Sequence, residues 1–270
     1  RRHTPTYLVS AIFRCNSIFF RPWGGAWRRA LATYDTLFVQ NEESKHLLES
    51  IGYHNATIAG DTRFDRVATI AKQPTKIPIV ERFRGNRRLF VAGSTWQRDE
   101  EILLELINSN PEICFVIAPH EIDQRRIDHL ISEVKGGAVR YTESCDRSDF
   151  SHVQVLILDT IGLLASLYGY ATWAYVGGGF GAGIHNTLEA ATFGLAIAFG
   201  PRYRKFQEAC DMIELRAARS VRSAVELKAW FAPLRDDRAC LEQASRAARA
   251  YAERNCGATT LITEALLKHL

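Results

Sequence analysis

The amino-acid sequence predicts an α/β protein: a doubly wound parallel-sheet domain preceded by the last part of a second α/β domain. Three observations carry this. Short apolar runs alternate with amphipathic stretches from end to end, the pattern of parallel strands covered by helices. A polar stretch bearing Pro74 and Pro78 interrupts the alternation once. From residue 87 the rhythm restarts, and it contains one glycine-dense segment, GGGFGAGIHNTLEAATFG at 177–194, between a strand and a helix.

The elements follow in order. In residues 1–60, TYLVSA reads as a strand, GGAWRRALATY as a helix and TLFVQ as a strand. NEESKHLLESIG is a helix with Asn41 as N-cap, acidic residues in its first turn and Gly52 as its stop. ATIAG closes this group, the C-terminal part of an N-terminal domain. Residues 61–86 form an interdomain connector, because Pro74 and Pro78 rule out one continuous helix. Residues 87–270 form the second domain. RLFVAGS, ICFVIAPH, AVRYT, VQVLILDT, TWAYVGG and LAIAFGP are its strands. QRDEEILLELINSN, IDQRRIDHLISEV, residues 162–169, NTLEAATFG and KFQEACDMIEL are helices between or after them, and three more helices close the chain.

Composition excludes some classes. With 47% hydrophobic and 24% charged residues the chain is an ordinary globular one, and no run approaches the length of a membrane span. The six cysteines are scattered with no C-x-x-C pair, which favours reduced structural thiols over a zinc site or a disulfide framework. Residue 1 is arginine and Met212 is the only methionine, so the chain is expected to lack its natural beginning. The net charge of +4 gathers near the start, in Arg1, Arg2, Arg14, Arg21, Arg28 and Arg29, with Trp23 and Trp27 interleaved. That reads as a solvated basic surface or as a face for anionic lipid or phosphate. No nucleic-acid motif accompanies it.

In doubly wound sheets ligands sit beyond the carboxyl ends of the strands, so the loops there hold the candidate site. GGGFGA matches a dinucleotide fingerprint, but it follows a late strand and the next strand ends without an acidic ribose partner. A different nucleotide reading fits better. Backbone N–H groups of the glycine stretch and the following helix N-terminus would stabilise a phosphate. Asn186 and Glu189, three apart on one helix, would share a face, with Glu189 accepting hydrogen bonds from ribose hydroxyls. Asn186 could equally be a plain N-cap and Glu189 a solvated first-turn acid. Ser94 and Thr95 in GSTW bind phosphate or cap a helix, Pro119 and His120 line a base or phosphate pocket, and Arg202, Arg204 and Lys205 form a basic turn.

Together these motifs resemble a family. GSTW..DEE, APHE, VGGGFGAGIHNTLEAATFGLAIAFGP...KF and NEESKHLLESIG…VAGDTRFD are similar to the bacterial 3-deoxy-D-manno-octulosonic acid (Kdo) transferases, GT-B glycosyltransferases of lipopolysaccharide assembly. The resemblance implies a Rossmann-like GT-B fold and inverting transfer of Kdo from CMP-Kdo to a lipid A precursor, with no metal and no cofactor. It places Ser94 and Thr95 near the donor, and Gly181, Gly183 and His185 around its phosphate. Asn186 and Glu189 would hold the ribose, and Pro119 and His120 the cytosine. Arg14 would face the interlobe cleft, and Arg202 the donor. Many members read Pro-Arg-His where this chain has Ala-Pro-His, and asparagine where Lys205 stands. The resemblance also implies a membrane-associated parent protein on the cytoplasmic face of the bacterial inner membrane. The general base and the membrane anchor would lie in an N-terminal region outside this chain, leaving a soluble, inactive donor-binding piece. The alternatives from residues alone are a UDP-sugar GT-B enzyme, a non-hydrolysing UDP-sugar epimerase, or a nucleotide-binding module without activity.

Overall fold

Tyr7–Ala11 (β1), Thr36–Val39 (β2) and Ala56–Ile58 (β3) pair in that order into a small parallel sheet, in a computed structural model that describes residues 4–268. Gly25–Leu31 (α1) and Glu42–Glu49 (α2) connect them. Leu37, Val39, Leu48, Leu31 and Phe13 are buried together, because β2 is the middle strand and must be apolar on both faces. As expected, Asn41 caps α2: its Oδ1 accepts from the Ser44 N–H at 2.9 Å. Arg1 and Arg2 of the basic opening lie outside the described residues. Trp23 and Trp27 are exposed, at 72% and 54%, while Arg28 donates to the Phe19 and Arg21 carbonyls.

The chain forms two compact units, residues up to Ala68 together with those from Glu253 onward, and Thr69–Ala252. These limits differ from the expected 61–86 connector and 87–270 domain. The stretch 61–86 holds two helices, Thr62–Lys72 (α3) and Pro78–Arg84 (α4). Pro78 begins α4 at N1, where its missing N–H would have had no partner anyway. The closing residues join the first unit for a local reason. The Asp65 carboxylate accepts from the Gly257 and Thr259 N–H groups at 2.6 and 2.7 Å, capping the terminal helix. Burial would raise the Asp65 pKa, but these N–H bonds outweigh it and the net shift is downward.

In the second unit the strands are Leu89–Thr95 (β4), Cys114–Pro119 (β5), Ala138–Arg140 (β6), Val155–Ile157 (β7), Trp173–Val176 (β8), Ala196–Phe199 (β9) and Ala218–Ser220 (β10). All pair in parallel, in the order β10-β9-β8-β4-β5-β7-β6. The helices between them are Gln97–Asn108 (α5), Gln124–Glu133 (α6), Leu164–Leu167 (α7), Leu188–Thr192 (α8) and Gln207–Glu214 (α9). Ala224–Asp236 (α10), Arg238–Arg254 (α11) and, in the first unit, Ala258–Leu267 (α12) complete the chain. Phe90, Phe115, Trp173 and Phe231 anchor the core under the central strands, Trp173 and Phe231 meeting edge-on at 4.8 Å. Burying each such ring contributes roughly 2–3 kcal/mol. All six cysteines are unbridged.

The strand order locates the crevice. From β4 the chain winds outward through β5, then returns to place β8 on the other side of β4. The loops after β4 and β8 therefore leave the sheet in opposite directions and open a gap between them.

Candidate functional site

Two segments flank that gap, Ser94–Trp96 at the end of β4 and Gly177–Gly183 after β8. Their backbones touch. A Cβ at Gly177 would strike the Ser94 carbonyl, one at Gly178 would lie 2.6 Å from the Gly183 oxygen, and one at Gly179 would lie 2.6 Å from Gly200. The sequence reading assigns the glycine density to a ligand, whereas at these three positions it is the protein's own backbone that comes close. Gly181 is different: its nearest neighbour would be 3.6 Å from a Cβ, so space is open there.

A buried carboxylate that sequence reasoning missed holds the arrangement. Asp99, fully buried in the first turn of α5, accepts from the Trp96 N–H and the Gly178 N–H, both at 2.9 Å, and from the Tyr175 hydroxyl at 2.7 Å. One side chain thus ties the β4 loop, β8 and the glycine loop together. Burial, with Asp99 adjacent, pushes the Tyr175 pKa far up, so this hydroxyl is a permanent donor. The available signal was an acid three residues after Trp96, at the position of a capping box.

Ser94 has φ +53°, a left-handed conformation that turns the next residue inward. Thr95 is accordingly fully buried and donates to Glu100 at 2.8 Å. Burial raises the Glu100 pKa against the opposing Thr95 bond and the Arg126 charge. Pro119 ends β5 beside Thr95, and the His120 N–H donates to the Thr95 carbonyl at 2.9 Å. His120 is thereby set between two rings, stacking on Trp96 at 4.9 Å and on His185 at 4.2 Å. The Trp96 indole N–H donates to His185 Nε2 at 3.1 Å. Burial, then the neighbouring His120, lowers the His185 pKa, so its imidazole is neutral at physiological pH.

Asn186 and Glu189 do not share a helix. Thr187 stands at the N-cap position, but its buried hydroxyl makes no capping bond, and α8 begins only at Leu188. Asn186 still serves the helix start, its Oδ1 accepting from the Leu188 N–H at 3.0 Å, while its Nδ2 donates to Glu189 Oε1 at 3.1 Å. The two residues are brought together as a hydrogen-bonded pair across the first turn. Glu189 also lies near the buried Tyr168 phenol, whose pKa is pushed up by burial first and by that carboxylate second.

The basic turn after β9 closes on the glycine loop. Arg202 donates to the Gly181 carbonyl at 2.7 Å, and Lys205 Nζ to the Ala182 carbonyl at 2.6 Å. Two cations thus border the open side of the loop. Arg14 belongs to the first unit, where it is exposed. Among the described residues no group of three or more His, Cys, Asp or Glu side chains is placed to hold a metal ion, and no helix is long and apolar enough to cross a membrane.

The family model for 3-deoxy-D-manno-octulosonic-acid transferase (kdotransferase) matches residues 1–66. Over nearly the whole chain, a 3-deoxy-D-manno-octulosonic acid transferase of Bordetella pertussis is 28% identical over 276 residues, covering 97% of this chain and 63% of the relative. This chain is similar to the Kdo transferases. A second one, from Rickettsia bellii, is 26% identical over 82% of this chain and 54% of its own length. The chain thus spans less than two thirds of these Kdo transferases. Among solved structures, the C-terminal CMP-Kdo binding domain of WaaA from Acinetobacter baumannii shares the fold, with a TM-score of 0.53 and 23% identity. It covers 70% of this chain and 96% of that domain. A UDP-N-acetylglucosamine 2-epimerase matches with a TM-score of 0.66 at 13% identity, over 98% of this chain and 65% of that one. The fold is therefore Rossmann-like, of the GT-B kind, as the Kdo-transferase resemblance implies.

Proposed function

We propose that this chain carries the donor site of a Kdo transferase, holding CMP-Kdo while Kdo passes to a lipid A precursor. The observation that carries the reading is the similarity to Kdo transferases along 97% of the chain, which includes the loops around the β4–β8 crevice. In this reading Gly181, Gly183 and His185 receive the phosphate, with Arg202 and Lys205 supplying positive potential beside it. Asn186 and Glu189 grip the ribose, and Ser94, Pro119 and His120 border the donor and its cytosine, while Thr95, expected beside the donor, is instead buried with its hydroxyl bonded to Glu100.

The chemistry is an inverting, metal-independent displacement at the anomeric carbon. An acceptor hydroxyl oxygen, giving up its proton to a general base, forms the new bond as the bond from that carbon to the phosphate oxygen breaks, and CMP leaves with the electron pair. Negative charge grows on the phosphate during this step. Preorganised donors that cannot reorient stabilise it more than water would. The parent protein is expected to work at the cytoplasmic face of the inner membrane, where its lipid acceptor resides.

Calorimetric titration of the 270-residue chain tests the reading. CMP should bind while UDP and UDP-N-acetylglucosamine do not compete. Glu189→Ala should weaken CMP roughly 10- to 100-fold, the value of charge-assisted hydrogen bonds to two hydroxyls. Tighter binding of UDP than of CMP would sink it in favour of a UDP-sugar enzyme.

A further inference from the structure

His185 occupies the centre of the crevice, with its two nitrogens in different situations. Nε2 accepts from the Trp96 indole, and the Cδ2–Nε2 edge lies against Gly178, where a Cβ would come within 3.0 Å of Nε2. Nδ1 has no hydrogen-bond partner among the described residues. An indole N–H can only donate, so Nε2 must be unprotonated for this bond to exist. The proton of a neutral imidazole then has one place to go, Nδ1.

We propose that Trp96 is a positioning residue: its indole fixes His185 as the neutral Nδ1–H imidazole and so offers a single aimed N–H donor to the anionic group of the ligand. Its role as a phosphate contact rests on the donor-site reading above; the tautomer lock does not. A ring in free rotation, or one that exchanged tautomers, would present an acceptor lone pair to the phosphate part of the time. Trp96 removes that state. It is itself held in place, its backbone N–H bonded to Asp99 and its ring stacked on His120. The groups that face His185 are His120 from the β5 loop, Asp99 from α5 and the Trp96 ring, with Lys205 approaching from the β9 turn at Gly183. The only anion among them, Asp99, is already engaged by three donors.

Long-range proton–nitrogen NMR on the whole chain, with its histidines labelled, reads the tautomer directly, and Trp96→Phe breaks the bond while keeping a ring on His120. His185 in the unsubstituted chain should show protonated Nδ1 and bare Nε2. In Trp96→Phe it should become a tautomer mixture, and its titration midpoint should rise because protonating Nε2 no longer costs a hydrogen bond. Trp96→His, which keeps a ring N–H, should restore the lock in part. CMP binding at pH 8 should weaken about fivefold in Trp96→Phe, the worth of one aligned donor, and recover as pH falls through the raised midpoint. An Nε2–H tautomer in the unsubstituted chain, or an unchanged midpoint in Trp96→Phe, would overturn the proposal. A working lock combined with no CMP binding would instead count against the nucleotide reading and leave the role of Trp96 standing.

Discussion

Each unit contains a turn from a parallel strand into a helix, and the two are built in opposite ways. After β2, Gln40 and Asn41 suffice: one side chain caps α2 and the chain moves on. After β8, residues 177–187 intervene before a helix of five residues, and they are held by Asp99 and by backbone contacts with two other loops. A turn that only reverses direction satisfies its orphan N–H groups as cheaply as possible. A turn that must leave groups open to a ligand needs support from outside itself.

The largest effect should come from removing that support. Asp99→Ala leaves two backbone N–H groups and the Tyr175 hydroxyl without their acceptor, for a loss of about 4 kcal/mol, read as urea unfolding of the second unit. Stability within about 0.5 kcal/mol of the parent would mean that water replaces the carboxylate there. Gly179→Ala comes next, at about 3 kcal/mol, since its methyl would meet the Gly200 backbone rather than a movable side chain. Gly181→Ala is the matched contrast. It should fold with stability changed by less than about 0.5 kcal/mol, yet weaken CMP, which would separate glycines that serve the chain from one that serves a ligand. Asn41→Ala should cost about 1 kcal/mol, visible in faster hydrogen exchange of α2 amides, with CMP binding unchanged.

The smallest effect is a pH dependence. The Glu100 pKa is raised in the folded chain, so its contribution to stability is present below the ordinary carboxylate range and declines as pH rises through the folded value. Glu100→Gln should flatten that decline, gaining under about 1 kcal/mol at pH 8 relative to the parent. A steeper decline in the variant would show that the Arg126 ion pair, at 3.3 Å, outweighs the burial of the carboxylate.

What could be read in the sequence was local. Strands showed as apolar runs, Asn41 as a cap, and the restart at residue 87 as a second sheet, because each is decided by neighbours within a few residues. What could not be read depended on partners distant in the chain. Nothing near Gly177 says that Ser94 will pack on it, and nothing near Gly257 says that Asp65, 192 residues earlier, will cap α12. The Trp96–His120–His185 stack exists only because β4, β5 and β8 deliver their loops to one place. The start of α8 lies two residues beyond the expected one: Asn186 reaches the Leu188 N–H from one position further out, while the Thr187 hydroxyl at the N-cap position makes no capping bond.

The turn after β9 is sewn to the glycine loop at three points. The Arg202 N–H meets the Gly179 carbonyl, the Arg202 guanidinium the Gly181 carbonyl, and the Lys205 ammonium the Ala182 carbonyl. Two segments that could have flapped independently are therefore one rigid jaw. An anion arriving there would meet groups already tied in place, so little ordering entropy would oppose its binding and its association should be fast. Differences in affinity among such ligands would then appear almost wholly in how long each one stays.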